Sequence, residues 1–197
     1  MPGRLPAPGD LALVQAFVNT LDIEAGRDDL RNVAALRDWL ADQGLLEREP
    51  DLGPADLRRA LSLREALREL LSANHGGQGT APAKAITALN ALAGVAALQL
   101  RFAADGTATL QRGRGGLNGA VARLLGVVYT AMVDGTWRRL KICRAGGCRW
   151  AFYDASKNRS GAWCEMQVCG NRTKVRAYQR RRRTGAEREP AAIVPQH

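Results

Sequence analysis

Apolar residues recur at three- and four-residue intervals along most of the chain. Leu13, Val14, Phe17, Val18 and Leu21 share one face of a helix predicted over residues 11–21, with Asp10 placed to cap it. Val33, Leu36, Trp39 and Leu40 predict a second helix, capped by Asp28 or Asp29 and closed at Gly44. Pro54-Ala55-Asp56 opens a third, long one carrying Leu57, Leu61, Leu63, Ala66, Leu67, Leu70 and Leu71, which breaks between Asn74 and Gly79. A fourth runs from Ala83 to Ala93. A fifth runs from Leu117 to Val133, with Val121, Leu124, Leu125, Val128 and Met132 at helical spacing.

Between the fourth and fifth helices the period changes. Leu98 to Phe102 and Thr107 to Leu110 alternate apolar and polar residues on either side of Asp105-Gly106, which predicts a hairpin. The glycines of residues 113–119 do not fit the spacing of a phosphate-binding loop and read as a flexible connection. After Asp134-Gly135 basic and apolar residues mix. Arg138 to Ile142 reads as a short strand leading into Cys143, Trp150 to Tyr153 as a second, and Cys164 to about Arg183 as a final helix ended by Thr184-Gly185. The first nine residues, with Pro2, Pro6 and Pro8, read as a loose arm. The pattern divides the chain into a helical domain over 1–135, a small module over 136–183 and a flexible tail over 184–197.

Charge sharpens that division. Residues 136–183 hold 14 Lys/Arg against two acids, Asp154 and Glu165, a net +12, whereas the rest of the 197-residue chain holds 15 against 17, a net −2. So uneven a distribution points to a polyanionic partner, nucleic acid before a membrane surface. No run approaches the ~18 apolar residues of a membrane helix, and the first residues lack the apolar core of a signal peptide. A cytoplasmic protein is expected. The histidines are His75 and His197. A His-rich metal site is thereby excluded, and a Ser-His-Asp or Cys-His centre would have to rest on His75. The Leu/Ala-rich domain offers no acid–base pair, so no enzyme is expected.

All four cysteines fall in the basic module, as Cys143/Cys148 and Cys164/Cys169, two C-x4-C pairs separated by fifteen residues. In a chain without secretory features such clustering favours metal over disulfides. Four thiolates suit tetrahedral Zn²⁺, and four cysteines favour a closed structural site holding one ion. Arg144-Ala145-Gly146-Gly147 lets the first pair turn back on itself. Cys164 and Cys169 sit at the start of the final helix. Lys141, Arg144, Arg149 and Arg172 are placed to offset the site's net −2. The expected fold is therefore α+β: a mainly helical N-terminal domain with one β-hairpin, then a small treble-clef-like zinc module made of a short hairpin and a helix. So small a module has too little core to fold without its metal.

Beyond Cys169 the chain is dominated by Arg172, Lys174, Arg176, Arg180, Arg181, Arg182 and Arg183. On a helix Arg172, Arg176, Arg180 and Arg183 form one stripe, leaving Val168, Val175 and Tyr178 to pack on the zinc hairpin. These basic residues are the candidates for contacting DNA phosphates and bases, with RNA possible and an acidic protein surface the alternative. Trp150, Phe152, Tyr153 and Trp163 read as the small core of the module, with base stacking the other possibility. Arg172 has three readings: pairing with Asp154, contacting phosphate, or shielding the thiolates. Asn19 reads as a helix-end residue.

The literal Cys169-Gly170-Asn171-Arg172, preceded by Trp163-Cys164 and by Trp150 to Arg159, resembles the CGNR zinc-finger family; Ala162 stands where that family usually has arginine. Upstream, Phe17-Val18-Asn19-Thr20-Leu21-Asp22 looks like the opening of the ABATE domain, which commonly precedes this finger. The resemblance implies a zinc-dependent, DNA-binding regulator of stress-induced transcription. A monomeric finger of this size would bind weakly, so pairing into a homodimer is expected, as is an unknown small-molecule signal acting on the N-terminal domain.

Overall fold

The computed structural model describes residues 5–46, 51–75, 79–96, 98–111 and 115–186, with residue 111 and residues 183–186 described by their backbone. Six α-helices and three two-stranded antiparallel sheets are found among them. The order is α1 (Leu11–Val18), β1 (Leu21–Asp22), β2 (Arg27–Asp28), α2 (Val33–Asp42), α3 (Pro54–Ser72), α4 (Ala83–Ala96), β3 (Gln99–Phe102), β4 (Ala108–Gln111), α5 (Leu117–Val133), β5 (Leu140–Ile142), β6 (Ala151–Tyr153) and α6 (Asn171–Ala186).

The N-terminal region is built around α3. Pro54 occupies the first helical turn, where its missing N–H costs nothing, and the Asp56 carboxylate accepts from the Gly53 N–H at 3.0 Å. Its buried face, with Leu63, Leu67 and Leu71, meets Val14, Phe17 and Val18 of α1, Leu36 and Leu40 of α2 and Leu124 of α5 in one aliphatic core. Phe17 and Trp39 add a tilted ring contact with centroids 5.4 Å apart.

The capping groups differ from those read in the sequence. Asp10 makes no cap bond to α1 and pairs instead with Arg123 at 3.1 Å. Helix α2 starts later than Asp28 or Asp29 would place it, because Asn32 caps it by accepting from the Ala35 N–H at 2.8 Å. Asp28 pairs at 2.6 Å with Arg64, whose side chain α3 buries. The hairpin that this pair anchors, β1–β2, has strands of two residues, too short to alternate visibly. The region therefore carries two hairpins rather than one. The second, β3–β4, has the expected register, Leu100 opposite Leu110 and Phe102 opposite Ala108. Residues 5–9 are held rather than loose: Ala7 is buried and donates to Gln15 Oε1 at 2.5 Å. Residues 1–4 and 187–197, with most of the expected tail, lie outside the described residues. Helix α6 continues through Thr184-Gly185.

The strand pair β5–β6 belongs to two cores at once. Strand side chains alternate between faces. Leu140 and Ile142 of β5 and Ala151 of β6 join the large aliphatic core. Phe152 and Cys143 join a second cluster with Ala145, Cys148, Cys164 and Cys169, flanked by the half-buried Trp150 and Trp163.

Candidate metal centre

Cys143 lies just past β5, where its N–H donates to the Trp150 carbonyl at 2.8 Å and extends the hairpin by one bond. The chain then turns through Ala145 to Cys148, whose N–H returns to the Ala145 carbonyl at 3.0 Å. Gly147 takes φ +89°, a conformation side chains resist, and Arg149 follows at φ +49°. Cys164 and Cys169 are brought together by a wide π turn, Met166–Gly170, instead of by a regular helical start. Its bonds from the Cys169 and Gly170 N–H groups both end on the Glu165 carbonyl, at 2.9 and 3.2 Å. A Cβ on Gly170 would meet the Met166 sulfur at 2.6 Å, so Gly170 lets the Met166 side chain lie over the turn.

All four sulfurs are buried and lie within 4.8 Å of one another. Cys148 Sγ is 3.7 Å from Cys164 Sγ, and Cys164 Sγ is 3.7 Å from Cys169 Sγ. A tetrahedron of sulfurs at about 2.3 Å from zinc has edges of about 3.8 Å, whereas a disulfide needs about 2.05 Å. The donor set and its spacing thus fit one Zn²⁺ ion held by Cys143, Cys148, Cys164 and Cys169. Four protein ligands close the shell, so the ion supplies structure and leaves no position for a substrate.

The thiols are strongly coupled. Hydrogen bonds from Cys148 and Cys164 favour the thiolate at Cys143 and lower its pKa. The same sharing with Cys143 pushes Cys148 up to about 12 and Cys164 higher still, while burial pushes Cys169 up. Full ionisation of the set therefore needs a cation, and taking up zinc releases protons.

The loop from Asp154 to Trp163 is tied down beside the site. Lys141 and Asp154, both about 3 % exposed, pair at 2.7 Å. Burial alone would raise the Asp154 pKa, but Lys141, Ser156 and the Gly161 N–H outweigh it and hold it at about 2. A Cβ on Gly161 would come within 2.8 Å of that carboxylate. Asp154 is thus matched by Lys141 and takes no part in holding Arg172, contrary to one of the sequence readings.

The module is clasped to α1 and α3 by residues whose part the sequence did not reveal. Asn19 ends α1 and grips Ala151 of β6 from both sides: its Nδ2 donates to the Ala151 carbonyl at 2.9 Å and its Oδ1 accepts from the Ala151 N–H at 2.7 Å. Gln15 adds a bond to the same carbonyl at 3.2 Å. Asn74 donates to the Trp137 and Leu140 carbonyls at 2.9 and 2.8 Å. His75 Nε2 meets the Ile142 carbonyl at 2.5 Å, and burial lowers the pKa of its ring. The signal was the polar pair Asn19-Thr20 ending an apolar helix, legible as a helix end but not as a clasp.

The cations expected to shield the thiolates mostly have other partners. Lys141 is matched by Asp154, Arg149 pairs with Glu69 of α3 at 2.5 Å, and Arg172 pairs with Glu24 of the β1–β2 turn at 2.7 Å. Helix α6 is rolled relative to expectation. Arg172 faces Glu24 and Arg176 donates to the Gly146 carbonyl at 3.2 Å, so the start of the predicted arginine stripe faces the protein. Val168, Val175 and Tyr178, expected to pack on the zinc hairpin, are exposed. Lys174, Tyr178, Arg181 and Arg182 share the other face at i, i+4, i+7 and i+8, and the Arg182 guanidinium lies 5.9 Å from the Tyr178 ring centre. Arg180 is exposed as well, and the side chain of Arg183 lies outside the described residues.

Two family models match the chain in this order. The first, ABATE, described as "putative stress-induced transcription regulator", covers residues 11–135, more than half of the chain. The chain belongs to the ABATE family. The second, the CGNR zinc finger, covers residues 139–182 and so contains all four cysteines and the basic helix as far as Arg182. No curated protein matches this ABATE chain. Within the CGNR motif the structure gives each residue a place. Cys169 joins the sulfur cluster, Gly170 abuts Met166, Asn171 opens α6 in the open, and Arg172 reaches back to Glu24. Among the described residues no helix is long and apolar enough to cross a membrane.

Proposed function

We propose that this protein is a zinc-dependent DNA-binding transcription regulator. The observation that carries the reading is the mounting of α6. A 16-residue helix springs directly from the turn that presents Cys169, and it exposes Lys174, Arg176, Arg180, Arg181 and Arg182 to solvent. Zinc fixes the root of the helix, and the outward face of Lys174, Arg181 and Arg182 meets phosphates or guanine edges in a groove. The ABATE domain serves as the regulatory part, and the protein acts by binding rather than by catalysis. Duplex DNA is favoured over single strands because Phe152 is buried and Trp150 and Trp163 pack on the sulfur cluster, so that the exposed Tyr178 of α6 stands apart from them and makes no row of stacking rings with them.

The test is fluorescence anisotropy with duplex DNA, single-stranded DNA and RNA at two or more salt concentrations, with and without chelator. With about five phosphates contacted, log K against log salt slopes near −4.5 on duplex, and chelation abolishes binding. Salt-independent binding, or binding that survives complete zinc removal, overturns the reading.

A further inference from the structure

Arg172, near the start of the basic helix, has its charge matched by an acid of the N-terminal domain, Glu24, at 2.7 Å. Both side chains keep about a third of their surface in solvent, so an incoming anion can reach the pair without unfolding anything. The geometry around Glu24 shows a built support. It sits in the turn of the β1–β2 hairpin, closed by the Ala25 N–H donating to Asp22 Oδ1 at 3.0 Å. The foot of the hairpin is clamped by two buried arginines of α3. Arg64 binds Asp28 through both terminal nitrogens, at 2.6 and 2.8 Å, and also reaches Thr20 at 3.2 Å. Arg68 donates to the Val18 carbonyl and, at 3.4 Å, to the Leu21 carbonyl. Glu24 is therefore carried on an arm fixed to the domain core.

We propose that Glu24 is an internal stand-in for a nucleic-acid phosphate: it occupies Arg172 in the free protein and yields that guanidinium to duplex DNA on binding. The inference rests on the DNA-binding reading and adds a regulatory contact to it. A carboxylate and a phosphate offer guanidinium the same two-oxygen acceptor edge, so they compete for the Arg172 nitrogen that Glu24 now occupies. The exchange keeps the finger in a lower-affinity state. It also gives the N-terminal domain a handle on DNA affinity, since moving the β1–β2 hairpin moves Glu24. Arg172 leaves α6 on the side opposite Lys174 and Arg181, so its phosphate contact lies at the root of the helix, apart from theirs, and is made only in the complex.

The experiment uses the full-length zinc-loaded protein and one fixed DNA duplex, titrated by anisotropy from low to moderate salt. Wild type is compared with Glu24→Gln, Arg172→Gln and the double variant, each checked for one zinc per chain and an unchanged melting temperature. Glu24→Gln is expected to bind about two- to fivefold more tightly at low salt. Salt weakens the internal pair too, so the gain shrinks as salt rises, and the log–log slope steepens by up to about 0.9, the increment of one phosphate. On the Arg172→Gln background the Glu24 substitution is expected to change nothing. A gain that persists without Arg172 shows a general charge effect and overturns the exchange. Equal affinity and slope for wild type and Glu24→Gln overturn it while leaving DNA binding intact. Failure of every variant to bind duplex overturns both readings together.

Discussion

The two cores of this molecule are made by different chemistry. The large one is aliphatic, with Leu36, Leu40, Leu63, Leu67, Leu71 and Leu124 almost wholly excluded from water, and each such residue contributes about 1.5–3 kcal/mol by burial. The small one has four sulfurs at its centre and little apolar surface beyond Ala145, Phe152 and the flanks of two tryptophans. Burial alone suffices for the first. The second needs an ion, because its thiols cannot all ionise together without one. Strands β5 and β6 divide their faces between the two, so the finger is not a bead on a string but half of a shared sandwich.

Removing the metal is the strongest way to separate the cores. Structural zinc contributes on the order of 10–16 kcal/mol in small fingers. Chelation, or Cys169→Ser, is expected to release the ion and open residues 143–170 to protease and hydrogen exchange, while α1 to α5 keep their helical circular dichroism. A loss of helix signal across the whole chain would instead mean that the large core depends on the small one. The reverse perturbation is Leu67→Ala, which hollows the large core and is expected to cost about 2–5 kcal/mol in denaturant unfolding. Zinc content, measured by metal analysis of the folded protein, should stay at one ion per chain.

The clasp between the cores can be cut without touching either. Asn19→Ala leaves the Ala151 N–H without its partner, and the expected loss is about 1–3 kcal/mol in thermal or denaturant melts. Asn19→Asp should recover little, because a carboxylate accepts from the N–H but cannot donate to the carbonyl.

Acid also titrates single groups, and metal analysis at each pH separates their effect from proton-driven zinc release. Asp154 has a folded pKa of about 2 against an ordinary 3.8, so its stabilising contribution is complete above that ordinary value. It is lost as pH falls from about 4 towards 2, an effect on the order of 2 kcal/mol. His75 acts in the same direction at higher pH. Its folded pKa is lowered, so the unfolded chain takes up the proton first as pH falls below the ordinary 6.5. Melting curves at stepped pH should show both phases. Asp154→Asn should remove the lower one and His75→Gln the upper.

What could be read from the sequence follows the same contrast. The long helices were legible because their cores need only periodic leucines, as in α3, and the zinc site because C-x4-C pairs encode a ligand set locally. The hairpin β3–β4 announced itself through Asp105-Gly106. The missing information was long-range. Nothing near Asp28 says that it will meet Arg64, thirty-six positions away, and so Asn32 rather than Asp28 starts α2. Asn19 finds Ala151 across 132 positions. The roll of α6 was also hidden: its few apolar residues, Val175 and Tyr178, turn outward, and two polar contacts, to Glu24 and to the Gly146 carbonyl, mark the side turned towards the protein.

The wide turn over Met166–Gly170 has a consequence for how this chain can change. Each residue of a helix advances the side-chain direction by about 100°, so the turn sets the phase of everything that follows it. A point substitution at Met166, Gln167 or Val168 leaves the ligands and the spacing in place. A single deletion between Cys164 and Cys169 would swing the whole cationic rod by more than a quarter revolution, carrying Arg172 off Glu24 and re-aiming Lys174, Arg181 and Arg182 together. The length of that segment behaves as an indexing joint, and it should tolerate replacement far better than any gain or loss of a residue.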